Sequence, residues 1–330
     1  MSHPQPTVVI TGATAGVGRA TARHFARRGY QIGLIARNAR GLDETAAELE
    51  AMGARVQKCS VDVSDAEAVE RAADEIEGAL GAIDVWINSA MNTVLAPVHE
   101  TTAQEYRRVS EVTYLGAVHG TLAALRRMRE RDRGTIVQVG SALAYRSIPL
   151  QSAYCASKAA LRGFTDSLRS ELIHDQSRIR LTMVHLPGHN TPQFEWARNK
   201  LPYKAQPVEP IYQPEVAARA IYDAARRAPR EIWLGSATLQ TILGNYVAPG
   251  LMDRLLARKA YDGQMTERPE TAGRPDYVDE SVSGKHRCHG RFDAQAKDRA
   301  LSVDSNKVVP TLIAGAGMAF WLAGLLIRRR

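Results

Sequence analysis

Cysteine is scarce: Cys59, Cys155 and Cys288 are the 3 in 330 residues, odd in number and widely spaced. That excludes a disulfide framework and is the pattern of a reducing compartment. The polar start MSHPQPT runs straight into a strand with no apolar signal-peptide core, so a secretory route is not expected. The formal charge is +8, yet no basic run is interleaved with aromatics. Much of the excess is arginine scattered through helical segments, such as Arg126, Arg127, Arg129, Arg131 and Arg133. Solvated helix faces account for it, and nucleic acid is not an expected partner. No metal is expected either. Cys288 lies in Lys285-His286-Arg287-Cys288-His289, but no second ligand cluster accompanies it, and a surface loop is the better reading.

What is present is organised around Ser141 to Lys158, SALAYRSIPLQSAYCASK. Tyr154 and Lys158 are spaced i,i+4, so on a helix they share a face. An ammonium beside a phenol favours the phenolate and lowers a pKa that is ordinarily about 10. Such a tyrosine can exchange a proton with a carbonyl or alcohol oxygen, and Ser141 is placed to hydrogen-bond that oxygen. Alone, Tyr-x-x-x-Lys would be an ordinary amphipathic helix pair. Upstream, however, the apolar strand Val8-Val9-Ile10 feeds Gly12-Ala13-Thr14-Ala15-Gly16-Val17-Gly18, and a helix follows. Glycines there allow a tight turn and close backbone approach, and the helix N-terminus faces a pyrophosphate.

The chain resembles the short-chain dehydrogenase/reductase family, classical type. The resemblance rests on Thr11 to Gly18, Asp62, Asn88-Ser89-Ala90, Ser141, Tyr154-Cys155-Ala156-Ser157-Lys158 and Pro187-Gly188, in family order over about residues 7–235. It implies catalytic roles for Ser141, Tyr154 and Lys158. It also implies a dinucleotide held by Gly12, Thr14, Gly16, Val17, Gly18, Asp62 and Val63 at the adenine, Asn88 and Ala90. Tyr154, Lys158, Pro187, Gly188 and Thr191 would complete that set. His185 and His189 read as structural or loop residues beside it. A dimer or tetramer is also implied.

Cofactor choice is read at the second strand, Gln31 to Ala36, which ends Ile35-Ala36-Arg37 without the carboxylate that would hold a ribose 2′-hydroxyl. Arg37 suits a 2′-phosphate instead, so NADP is expected. Two departures stand out. Met91 replaces a glycine after Asn88-Ser89-Ala90. In the long helix expected over Ala103 to Arg129, Thr113 replaces the asparagine that holds a relay water, and a helical threonine commonly bonds its own i−4 carbonyl.

The expected architecture is α/β: a Rossmann-type doubly wound parallel sheet with helices on both faces over residues 1–260, plus a C-terminal transmembrane helix. The surface from Leu239 to Leu255 is patchily apolar, suited to packing on the core or resting on a membrane. Residues 261–307 are polar and mixed in charge, and read as a flexible linker. Val308 to Ile327 then runs 20 residues without charge before Arg328-Arg329-Arg330. At about 1.5 Å per residue that spans a bilayer core of about 30 Å. The expectation is therefore a single-pass membrane protein with its catalytic domain cytoplasmic and membrane lipid as a partner. Its expected activity is NADP-dependent ketone–alcohol interconversion on a lipophilic small molecule. The alternatives are a catalytically silent NADP-binding scaffold and a non-redox relative such as an epimerase or dehydratase.

Overall fold

The computed structural model describes residues 5–308. Runs such as Val8-Val9-Ile10 and Ile32 to Ile35 are apolar at every position because the strands they form are covered on both faces. The strands are β1 (Thr7–Thr11), β2 (Gln31–Ala36), β3 (Val56–Ser60), β4 (Ile83–Asn88), β5 (Thr135–Ser141), β6 (Arg180–Leu186), β7 (Glu231–Leu234) and β8 (Ser302–Asp304). Their order across the sheet is β8-β7-β6-β5-β4-β1-β2-β3. The first seven are parallel, and β8 adds an antiparallel edge against β7.

Alternate side chains of one strand feed opposite layers. Val8 and Ile10 pack with helices α1 (Gly16–Ala26) and α2 (Ala39–Glu50) and with the later helix Pro214–Arg227, through Phe25, Leu42, Leu49 and Ile221. Val9 packs on the other face with α3 (Ala66–Leu80), and with helices Gly116–Arg131 and Ser152–His174 through Met128, Leu168 and Leu172. The doubly wound sheet is therefore as expected.

Three expectations are corrected. The helix expected over Ala103 to Arg129 is α4 (Ala103–Ser110), one wide π turn at Glu111–Leu115, and α5 (Gly116–Arg131). The stretch expected as a linker over 261–307 is folded onto the domain. Tyr277, Val278, Val282 and Phe292 are buried, Met265–Pro269 pairs with Tyr203–Ala205, and β8 extends the sheet. These apolar residues are isolated in polar sequence, and ion pairs such as Arg198–Asp279 at 2.7 Å and Arg287–Glu195 at 2.7 Å supply the remaining contacts. The single-pass membrane localisation, with its transmembrane helix, is the third. Among the described residues no helix is long and apolar enough to cross a membrane. The longest, α6 (Ser152–His174), is interrupted by Lys158, Arg162, Asp166, Arg169 and Glu171. The anchor expected from Val308 onward lies, beyond that first residue, outside the described residues.

Candidate active site

The loops leaving the carboxyl ends of the parallel strands enclose a cavity of ≈ 380 Å³. This is where open α/β sheets bind ligands. At the first loop, Thr11 Oγ1 accepts the N–H groups of Ser89 (3.0 Å) and Ala90 (3.1 Å), tying β1 to the end of β4. Gly12 has φ +68°, and a Cβ there would stand 2.8 Å from Ala90 Cα; one at Gly18 would stand 2.2 Å from the Gly12 carbonyl oxygen. Only glycine permits this turn. Helix α1 begins with no side-chain cap and no acidic residue in its first turn, a terminus whose dipole favours an anion, although its Gly16 N–H donates to the Arg287 carbonyl at 3.0 Å. Thr14, Gly16, Val17, Arg37, Asp62, Val63 and Ala90 line this end of the cavity.

Ser141, Tyr154 and Lys158 line the same cavity, as do Pro187, Gly188 and Thr191, the last lying against Gly16 of the glycine loop, where a Cβ would stand 3.0 Å from its side chain. Ser141 closes β5, and its Oγ accepts the Leu143 N–H at 3.1 Å. Lys158 Nζ lies 5.7 Å from the centre of the Tyr154 ring and donates to the Val139 carbonyl at 2.7 Å. Behind Ser141, His185 Nδ1 is 3.0 Å from the Ser141 carbonyl and Nε2 is 3.3 Å from Glu231. Tyr145 and Trp233 donate to that same carboxylate at 2.6 and 2.9 Å.

A profile described as short chain dehydrogenase matches residues 6–201. The chain belongs to the short-chain dehydrogenase family. It is an oxidoreductase of that family. An uncharacterized oxidoreductase of Bacillus subtilis, YxnA, is 31% identical over 322 residues, 96% of this chain and 89% of the relative. The alcohol dehydrogenase of the archaeon Thermococcus sibiricus, solved with 5-hydroxy-NADP, superposes with a TM-score of 0.58 at 27% identity, covering 67% of this chain and 91% of its own. L-sorbose reductase of Gluconobacter frateurii, solved with NADPH and L-sorbose, gives 0.55 at 30% identity over 59% of this chain and 73% of its own.

Within this short-chain dehydrogenase, several residues do other than the sequence reading expects. Asn88 is buried and spent on Trp86, Thr121 and Gln138, so it clamps β4 to α5 and β5 rather than facing the cavity. Asp62 is bonded to Ser64 and, at 2.5 Å, to Arg108. Burial works to raise its carboxyl, but these partners hold it below the ordinary range. Thr113 bonds neither its own turn nor a free relay position: its hydroxyl accepts the Asn92 N–H (3.1 Å) and donates to the Asn92 carbonyl (3.0 Å).

The expected lowering of the Tyr154 pKa is also reversed. Burial pushes the phenol up, and the Ser141 side chain only partly opposes it. Burial pulls Lys158 down to about 8. Desolvation wins because both groups are enclosed and Lys158 Nζ is held on a backbone carbonyl.

Sequence reasoning missed Arg108, Asn92, Tyr277, Val282 and His286. The last three come from the expected linker, and Tyr277, Val282 and His286 all line the cavity. Cys288, read as surface loop, is buried against Ala20 and Ala218. The cluster around it was the one available signal.

Proposed function

We propose that the protein interconverts a ketone and a secondary alcohol on a lipophilic substrate, with NADP as cofactor. The observation that carries this is the joining, in one cavity, of Ser141, Tyr154 and Lys158 with the glycine loop and Arg37. The fit to a dinucleotide is supported by the uncapped N-terminus of α1 and by the turn that a Cβ at Gly12 or Gly18 would fill. Arg37 would take a 2′-phosphate, and Gly12, Thr14, Gly16 and Val17 the pyrophosphate. Ala90, Lys158, Pro187, Gly188 and Thr191 would hold the nicotinamide half. Leu143, Ile148, Pro207, Val208 and Leu256 line the cavity as well, and they favour an apolar substrate.

Bound there, the nicotinamide would supply or accept the hydride at the substrate carbon. The chain's own residues handle the proton. Ser141 Oγ orients the substrate oxygen by hydrogen bond. Tyr154 delivers its hydroxyl proton to that oxygen as a ketone is reduced, or takes one from an alcohol as it is oxidised. Lys158, with its ammonium weakened to about 8, can return a proton to the tyrosine near neutral pH and supplies the charge that steadies a phenolate.

The test is cofactor turnover by purified protein against lipophilic ketones, with NADPH and NADH in parallel. NADPH oxidation with at least one ketone, lost in Tyr154→Phe, is the expected result. No turnover of either cofactor across the panel would overturn the reading.

A further inference from the structure

The groups that would hold the adenosine half of the cofactor are not facing open space. Residues 277–287 cross over them, and their backbone carbonyls accept from them one after another. Arg37 Nη2 donates to the Tyr277 carbonyl at 2.5 Å and Nη1 to that of Asp279 at 3.1 Å. Arg108 Nε and Asn92 Nδ2 donate to Val278 at 3.0 and 3.2 Å. Asn38 Nδ2 reaches Val282 at 3.1 Å, and Arg19 Nη1 reaches His286 at 2.8 Å. The Gly16 N–H, at the phosphate-facing start of α1, donates to Arg287 at 3.0 Å. The His286 ring closes this end, with Nδ1 2.9 Å from Thr14 Oγ1.

We propose that residues 277–287 are a strap that closes the dinucleotide cleft by offering carbonyl oxygens where phosphate oxygens would sit, and that the 2′-phosphate of NADP opens it by taking Arg37. This rests on the reading that the cavity binds NADP. The competition has a direction. A phosphate meets the guanidinium with opposite charge and can accept two of its N–H groups at once, whereas the strap offers only neutral carbonyl acceptors. NAD, whose ribose carries only a hydroxyl there, has nothing with which to take Arg37 from the strap. Preference for NADP would then reside in the strap as much as in Arg37, because closing it lowers the fraction of molecules able to bind. In the closed form the two ends of the strap are tied down. Tyr277 N–H is held by the Trp196 carbonyl at 2.9 Å, and Phe292 packs edge-to-face on Phe194.

Two measurements test this. In hydrogen exchange on the unmodified protein, the amides of Tyr277 and Val278, which donate to the Trp196 carbonyl and to Asp276, should exchange faster when NADPH is added and stay protected with NADH. Unchanged or slower exchange with bound NADPH would make the strap a fixed wall or a lid over the cofactor, and would overturn the proposal. Equal release by NADH would overturn the role of the 2′-phosphate. In the second, the strap is pinned. A Cβ at Gly41 would stand 2.8 Å from His286 Cγ, one bond from that residue's own Cβ. Gly41→Cys with His286→Cys is thus within bridging reach, in a Cys288→Ser background to prevent mispairing. NADPH affinity, read by its fluorescence, should fall by more than about tenfold in the oxidised protein and return on reduction. Equal affinity in both forms would overturn the strap alone. Failure of NADPH to bind even the reduced and unmodified proteins would overturn the cofactor reading and the strap with it.

Discussion

The two regions that meet over the cavity are built in opposite ways. Residues 7–235 form strands and helices whose apolar residues recur at the period of the element, and the inner strands of the parallel sheet bury both faces, while the edge strand β3 leaves Lys58 and Ser60 exposed. Residues 263–304 have almost no regular structure. They are held by single buried side chains, by ion pairs and by donors reaching their carbonyls from the first region. The second takes its form from the first, and this is why it read as a linker.

The largest effect that separates them is catalytic. Tyr154→Phe removes the transferable proton and should lower kcat by roughly 10³, with hydrogen exchange of 277–287 unaltered. A change in strap protection in that variant would mean the two regions are not separable.

The next measures whether the second region is truly packed. Phe292 is buried against Phe194, Leu201 and Ile211. Phe292→Ala should destabilise the protein by about 3 kcal/mol if this packing is that of a core. A chemical-denaturation midpoint indistinguishable from wild type would return the segment to the status of a tether.

A third probes the seam, where β8 from the second region pairs with β7 from the first. Burial works to raise the Glu231 carboxyl, but His185, Tyr145 and Trp233 outweigh it and hold it at about 2, against an ordinary 4.5. Its folded pKa is depressed, so its stabilisation is fully present above pH 4.5 and is lost as pH falls toward 2. The linked loss is about 3 kcal/mol. Glu231→Gln should be less stable at neutral pH and show a flatter stability profile between those limits. A parallel profile would show that the carboxylate is not what the acid limb reports.

What was legible follows the same division. Period-two and period-3.6 patterns and the glycine spacing placed the sheet, both helical layers and the ends of the cavity. Asn88 lies on the expected strand with its side-chain amide on Thr121 and Gln138; a spacing cannot say whether an amide faces the cavity or Gln138. Thr113 was expected to bond its own turn; the π turn at Glu111–Leu115 instead aims it at Asn92. Met91, a departure when read alone, has a neighbour in the structure: the Tyr277 hydroxyl lies 3.9 Å from its sulfur. Nothing in the local sequence could have disclosed that pair, since 186 positions separate the two. The i,i+4 spacing of Tyr154 and Lys158 foretells their 5.7 Å approach, but their charge balance depends on enclosure, which spacing does not report.

The smallest effect is the most discriminating, because Arg37 belongs to both regions at once. In the first it would hold the 2′-phosphate; in the second it clamps the carbonyls of Tyr277 and Asp279. Arg37→Ala removes a charge-assisted contact and a clamp together, and the two losses act oppositely on affinity. NADPH should weaken by about tenfold, the worth of roughly 1.4 kcal/mol, since it loses the phosphate contact and gains only an easier opening. NADH should tighten modestly, because it loses no contact and no longer meets a fully fastened strap. The preference collapses from both sides, and isothermal titration with each cofactor reads the two shifts separately. If both cofactors tightened, Arg37 would be a strap clamp with no phosphate to hold. If NADPH weakened while NADH stayed unchanged, it would be a phosphate ligand whose bonds to the strap do not restrain entry.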